Sequence, residues 1–239
     1  MTEDIIIHPI KGRKEKEIPA AGIFLVTPAE ANYGQECLLN AGGRRQFLYN
    51  SGLAISDDNA LFIAGPSVGA PLAVLTMEKL IALGAKRIIL FGWCGTIADN
   101  LKVGDIVIGN AAISGEGTSR YYQASSPAMP SVSLVHDIEE LLSSECLDYS
   151  KANVWSTDAP YREDRIFIEK LHRDADVSCV DMEYSALCAV AAFRGIEFAA
   201  LFLVSDELYR KKWKPGFTSR EFRDKSSLLV KLLSDKRVF

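Results

Sequence analysis

The chain has 239 residues, 48% hydrophobic and 24% charged, with a formal net charge of -4. That composition allows a sizeable buried core and excludes a disordered chain. A mildly acidic balance without a basic cluster gives no electrostatic footprint for nucleic acid and no polybasic membrane anchor, and leaves small-molecule partners open.

In chain order, Met1 to Ala20 carry several charges and no long apolar stretch, so no signal peptide is expected. Gly22 to Val26 predicts a strand ending at Thr27-Pro28, where Thr27 and Glu30 form a capping-box pattern. Ala60 to Ala64 predicts a second strand, then Gly65-Pro66-Ser67 and a helix from Pro71 to Leu83 with Gly84 beyond it. Arg87 to Phe91 predicts a third strand, ending at Gly92-Trp93-Cys94-Gly95, and Asp105 to Ile108 a fourth. Ser114 to Pro130 is the least patterned stretch and reads as a functional loop. A short strand over Ser178 to Val180 leads to a helix over Asp181 to Arg194, with acids in its first turn and Gly195 just past its end. Phe198 to Val204 is a fully apolar strand, and Thr218 with Glu221 opens a C-terminal helix through Leu233.

Continuous apolar runs suit strands buried on both faces. The expected fold is α/β: a three-layer αβα single domain over residues 1–239, with a central mixed, largely parallel sheet. Arg194, Gly195 and Glu197 interrupt the most apolar region, which argues against a membrane span. Five dispersed cysteines without a CxxC pair suggest reduced thiols and a cytoplasmic protein. His8, His136 and His172 stand in isolation, so no metal site is expected.

Ligands of open α/β sheets collect beyond the carboxyl ends of the strands, and four segments fall at such places. Gly65-Pro-Ser-Val-Gly-Ala-Pro71 offers glycines and a helix N-terminus to a ligand, or is a plain tight turn. Gly92-Trp-Cys-Gly95 lets the backbone turn against a ligand. Its Cys94 reads as a buried structural thiol more readily than as a nucleophile, since no partner histidine is recognisable. Asp181-Met182-Glu183 places a carboxylate suited to two vicinal ribose hydroxyls, or simply complements a helix dipole. Ser205-Asp206 ends an apolar strand with an acid that either donates a proton or caps a turn.

In this order and spacing, with Glu78 to Gly84 and Val103-Gly-Asp-Ile-Val107 between them, these segments resemble the purine nucleoside and uridine phosphorylase family and its related nucleosidases. The resemblance runs from about Gly22 to the C-terminus. It implies cleavage of a nucleoside N-glycosidic bond without an organic cofactor, in a homo-oligomer with shared sites. Met182 and Glu183 match the ribose-binding Met-Glu pair, and Asp206 the acid that protonates a purine at N7. Gly95 and Tyr161 fall beside the base, and His8 where a neighbouring subunit's 5′-hydroxyl is met.

The chain also departs from the family. The phosphate loop of phosphorolytic members, Gly-Asp-Pro-x-x-Arg, is replaced by Thr27-Pro-Ala-Glu-Ala-Asn32. Leu90 stands where a second phosphate-binding arginine is usual, and Trp93 replaces the hydroxyl residue of the glycine loop. Arg44 and Arg45 are the candidate substitutes, across a subunit contact. Phosphate as co-substrate and water as acceptor both stay open, as does a non-catalytic nucleoside- or base-binding protein.

Overall fold

A computed structural model describes residues 5–122, 128–235 and 238–239. Among the described residues, ten strands form one sheet. Its centre is β1 (Ala21–Leu25), β4 (Leu61–Gly65), β5 (Arg87–Thr96) and β9 (Glu197–Glu207), four buried apolar strands that run parallel. The antiparallel strands β3 (Gly52–Ile55) and β2 (Arg44–Arg45) make one edge. β10 (Lys214–Pro215) lies on β9 at the other.

Strand β5 pairs with β9, and its last residues also pair with β8 (Val177–Asp181). Through β6 (Ile106–Gly115) and β7 (Tyr149–Thr157) the pairing returns to β9, so five strands close a ring at one end of the sheet. Helices α2 (Ala70–Ala82) and α5 (Tyr184–Arg194) bury Ala73, Met77, Leu187 and Val190 against one face. Against the other pack α1 (Pro28–Asn40), α3 (Val132–Ser144) and α6 (Arg220–Ser234), through Leu38, Ile138, Phe222 and Leu229. Helix α4 (Arg165–Ala175) covers the ring beside β8. The layers are those expected, and among the described residues no helix is long and apolar enough to cross a membrane.

Several local expectations are corrected. Gly92-Trp93-Cys94-Gly95 is strand, not a loop after it: Gly92 to Cys94 pair with Phe202 to Val204, and a bulge at Cys94/Gly95 brings Gly95 opposite Asp206. The strand begun at Asp105–Ile108 continues to Gly115, taking Ser114 out of the expected loop, and Ser119–Tyr122 make a short 3-10 turn. Residues 123–127 of that stretch lie outside the described residues. Helix α5 begins at Tyr184, because the Asp181 carboxylate turns back to accept the N–H groups of Glu183 (3.0 Å) and Tyr184 (2.7 Å). Glu183 is its N-cap residue rather than a first-turn acid. Ser219, not Thr218, caps α6 by accepting the N–H of Phe222. Strand β7 and helices α3 and α4 lie outside the sequence-derived elements.

Candidate active site

The pairings of β5 draw the separate segments together. Gly95 lies opposite Asp206 of β9 on one side and Val180 of β8 on the other. A Cβ on Gly95 would stand 2.3 Å from Leu208 Cδ1 and 3.2 Å from Asp206 Oδ2, so the glycine makes room chiefly for Leu208, with the carboxylate packed close beside it. The β8–α5 junction brings in Met182 and Glu183, and the Gly69 N–H at the start of α2 donates to Glu183 Oε1 at 2.5 Å. All these segments line or border one cavity of about 860 Å³, a size suited to a small organic ligand.

At the inner wall, Glu183 is 5% exposed. Burial, reinforced by nearby Asp181, pushes its carboxyl up to about 8 against the opposing pull of the Gly69 N–H. Asp181 is likewise raised by burial, to about 6, although the Ser156 hydroxyl and two backbone N–H groups favour its charged form. A carboxyl raised above its usual value holds a proton in the folded chain that the unfolded chain releases. Stability from Glu183 is therefore full below about 4.5 and is lost as pH rises towards 8. Glu183→Gln, which mimics the protonated form, should match the wild type near pH 5 and gain on it near pH 9 in thermal unfolding. An equal difference at both pH values would contradict this environment.

A second pair of carboxyls lines the same cavity and is less buried than the first. Asp206 accepts from the Ser205 hydroxyl at Oδ1 (2.6 Å) and from the Trp213 indole N–H at Oδ2 (2.7 Å). Glu163 lines the same cavity just before α4, half-buried, and burial together with the charge of Asp206 pushes it up to about 7. Tyr161 stands at the mouth, 99% exposed. Cys94 borders the cavity from the core. Burial, with Cys179 beside it, pushes its thiol well up and away from the thiolate a nucleophile needs.

The third region lies beside the N-terminus of α1. The Thr27 side chain makes no cap bond; its hydroxyl donates instead to Glu30 Oε2 at 2.5 Å. Glu30, itself buried, accepts at Oε1 from Ser226 (2.7 Å) and from the Trp93 indole N–H (3.2 Å). The expected capping box is thus not formed, and the carboxylate is bound among side chains rather than to the helix N–H groups. Trp93 stacks on Phe217 at 5.8 Å and meets Phe222 edge-on at 5.2 Å, which fills the region with aromatic rings.

Of the residues singled out in the sequence, Met182, Glu183, Asp206, Gly95, Tyr161 and Trp93 line this one cavity. His8 is exposed and does not reach it. Arg44 and Arg45 stand on edge strand β2, bound to Asn59 and Gln35, and neither lines it. The basic side chains that do are His172 and Arg165, the latter tied to the carbonyls of Arg210 and Lys211. The sequence alone does not single out Glu163, Trp213 and Phe217. The aromatic pair in Trp213-Lys-Pro-Gly-Phe217 was the one available signal, while nothing in the sequence distinguished Glu163. Among the described residues no cluster of histidine, cysteine and acidic side chains is arranged to hold a metal ion.

The family model described as Phosphorylase superfamily matches residues 22–234. Over 171 residues the chain is 25% identical to a guanosine phosphorylase of Halorubrum lacusprofundi, covering 71% of this chain and 70% of that one. An AMP nucleosidase structure from Bacteroides thetaiotaomicron superposes with a TM-score of 0.72 at 25% identity, over 92% of this chain and 90% of the other. A uridine phosphorylase structure from Vibrio fischeri superposes with a TM-score of 0.79 at 20% identity, over 93% and 98%. Against several DeoD-type purine nucleoside phosphorylases, the aligned stretch spans just under two thirds of their length. The chain belongs to the Phosphorylase superfamily.

Proposed function

We propose that this member of the superfamily cleaves the N-glycosidic bond of a purine nucleoside and transfers the ribosyl group to water. The observation that carries the choice of acceptor is Glu30, a buried carboxylate held by Thr27, Ser226 and Trp93 where phosphorolytic relatives are expected to cradle phosphate. Glu30 stands behind Thr27 and Trp93, which line the cavity; a negative group there repels an anion, and the guanidinium among the described lining residues, Arg165, is tied to backbone carbonyls. Likeness to an AMP nucleosidase supports the same reading. The phosphorolytic version requires Arg44 or Arg45 of another copy to rebuild the anion site.

Bond cleavage leaves positive charge on the ribose and negative charge on the departing base. In this reading Glu183 holds the ribose hydroxyls, and the Gly69 N–H that donates to its Oε1 supports that orientation. Asp206, whose carboxyl lines the same cavity, supplies the proton that a departing base gains. Two carboxyl environments in one cleft distinguish this site from a passive binding pocket. The reading also takes the protein as cytoplasmic, free of organic cofactor, and active in one domain. Incubating the protein with a purine and pyrimidine nucleoside panel, with and without phosphate, tests it. Base should be released from purine nucleosides at the same rate in both buffers. Release that saturates with phosphate would overturn the acceptor.

A further inference from the structure

The two oxygens of Asp206 have partners of unlike kind. Oδ1 meets the Ser205 hydroxyl at 2.6 Å, and Oδ2 accepts from the Trp213 indole N–H at 2.7 Å. A hydroxyl both donates and accepts, whereas an indole N–H only donates. The Ser205 hydroxyl has a second acceptor, the Cys94 carbonyl at 3.1 Å, so it can turn there when Oδ1 carries a proton. Trp213 has no such freedom. A proton on Oδ2 would leave the indole facing a hydroxyl oxygen, a poorer acceptor than a carbonyl oxygen.

Trp213 is 59% exposed, so the core does not order it. It lies in the turn between β9 and β10, which is fastened from below. Glu207, fully buried, accepts there from Tyr209 (3.1 Å), Lys214 (3.0 Å), Arg210 and the Val103 N–H (3.3 Å). The Trp213 ring leans on Phe217 at 6.2 Å, and Phe217 stacks in turn on Trp93. Neighbouring acids on β9 thus have opposite tasks: Glu207 fastens the turn, and the turn brings the indole to Asp206.

We propose that Trp213 is a positioning residue for proton transfer, holding Oδ2 of Asp206 as a standing acceptor so that the transferable proton sits on Oδ1. The inference rests on the reading of the cavity as a purine nucleoside site. When the C1′–N9 bond breaks, its electron pair stays with the base. The Oδ1–H proton passes to a ring nitrogen, and the O–H electron pair stays on Oδ1. Water adds to C1′ and gives up a proton to solvent, from which Asp206 takes one back.

Trp213→Phe keeps a ring on Phe217 and removes the donor. On a purine nucleoside kcat should fall about tenfold with little change in KM, a part of what a well-aligned acid contributes. On 7-methylguanosine, whose departing base needs no proton, the variant and the wild type should turn over alike. In an Asp206→Asn background Trp213→Phe should cost nothing further, because Trp213 acts through Asp206. Thermal unfolding of the variant should match the wild type. The proposal is overturned if Trp213→Phe slows both nucleosides equally, if it raises KM and spares kcat, or if its effect persists in the Asp206→Asn background. Those results, with an active wild type, leave the reading of the site standing. A wild type that releases no base from any purine nucleoside, with or without phosphate, overturns both.

Discussion

Glu183→Ala should lower kcat/KM on a purine nucleoside by about 10²-fold or more, because the group that holds the reacting sugar is lost. The carboxyl is suited to hydrogen-bond two ribose hydroxyls, and a net hydrogen bond contributes about 0.5–1.5 kcal/mol, so two at the upper end reach that factor once both form in the transition state. The alanine variant also leaves the Gly69 N–H without its acceptor, a cost of about 1–3 kcal/mol in stability. Glu183→Gln retains that backbone contact through its carbonyl and separates the two effects. A folded alanine variant with wild-type turnover would remove Glu183 from the site.

Asp206→Asn should cost about 10²–10⁴-fold on purine nucleosides, since the amide accepts hydrogen bonds but cannot pass a proton to the base. The loss should shrink on 7-methylguanosine, whose departing base needs no protonation. Trp213 bears on the result because its indole N–H bonds Asp206 Oδ2. The variant has to keep that bond for the comparison to report proton transfer rather than a displaced strand end, and Trp213 fluorescence monitors it. An equal loss on both substrates would assign Asp206 a structural role at the end of β9.

How far the sequence alone reaches is clear from individual residues. The central strands were legible because Ile23, Phe24, Ile88, Ile89 and Ala199 to Leu203 are buried on both faces, a condition that writes itself as an uninterrupted apolar run. The end of α5 was legible because Gly195 adopts the left-handed conformation that favours glycine, with φ of 64°. Strand β7 was not, because Ser150, Lys151 and Asn153 break its apolar pattern. The Gly92–Gly95 stretch looked like a loop because glycines punctuate sequences, whereas its strand state depends on β9, more than a hundred residues away.

The site followed the same division. Glu183 and Asp206 sat in motifs and were found, but Glu163 gains meaning only from a neighbour 43 residues later. Glu30 reads in the sequence as half of a capping box with Thr27, yet another of its partners, Ser226, lies 196 residues on, in α6. The expected capping box failed for that reason: bonds to Ser226 and Trp93 hold the carboxylate among side chains.

The central claim concerns what receives the ribosyl group. Proton and phosphorus NMR of the products formed from a purine nucleoside in saturating inorganic phosphate tests it most directly. Free base and free ribose are expected, with no new phosphorus signal. Accumulation of ribose 1-phosphate would contradict it.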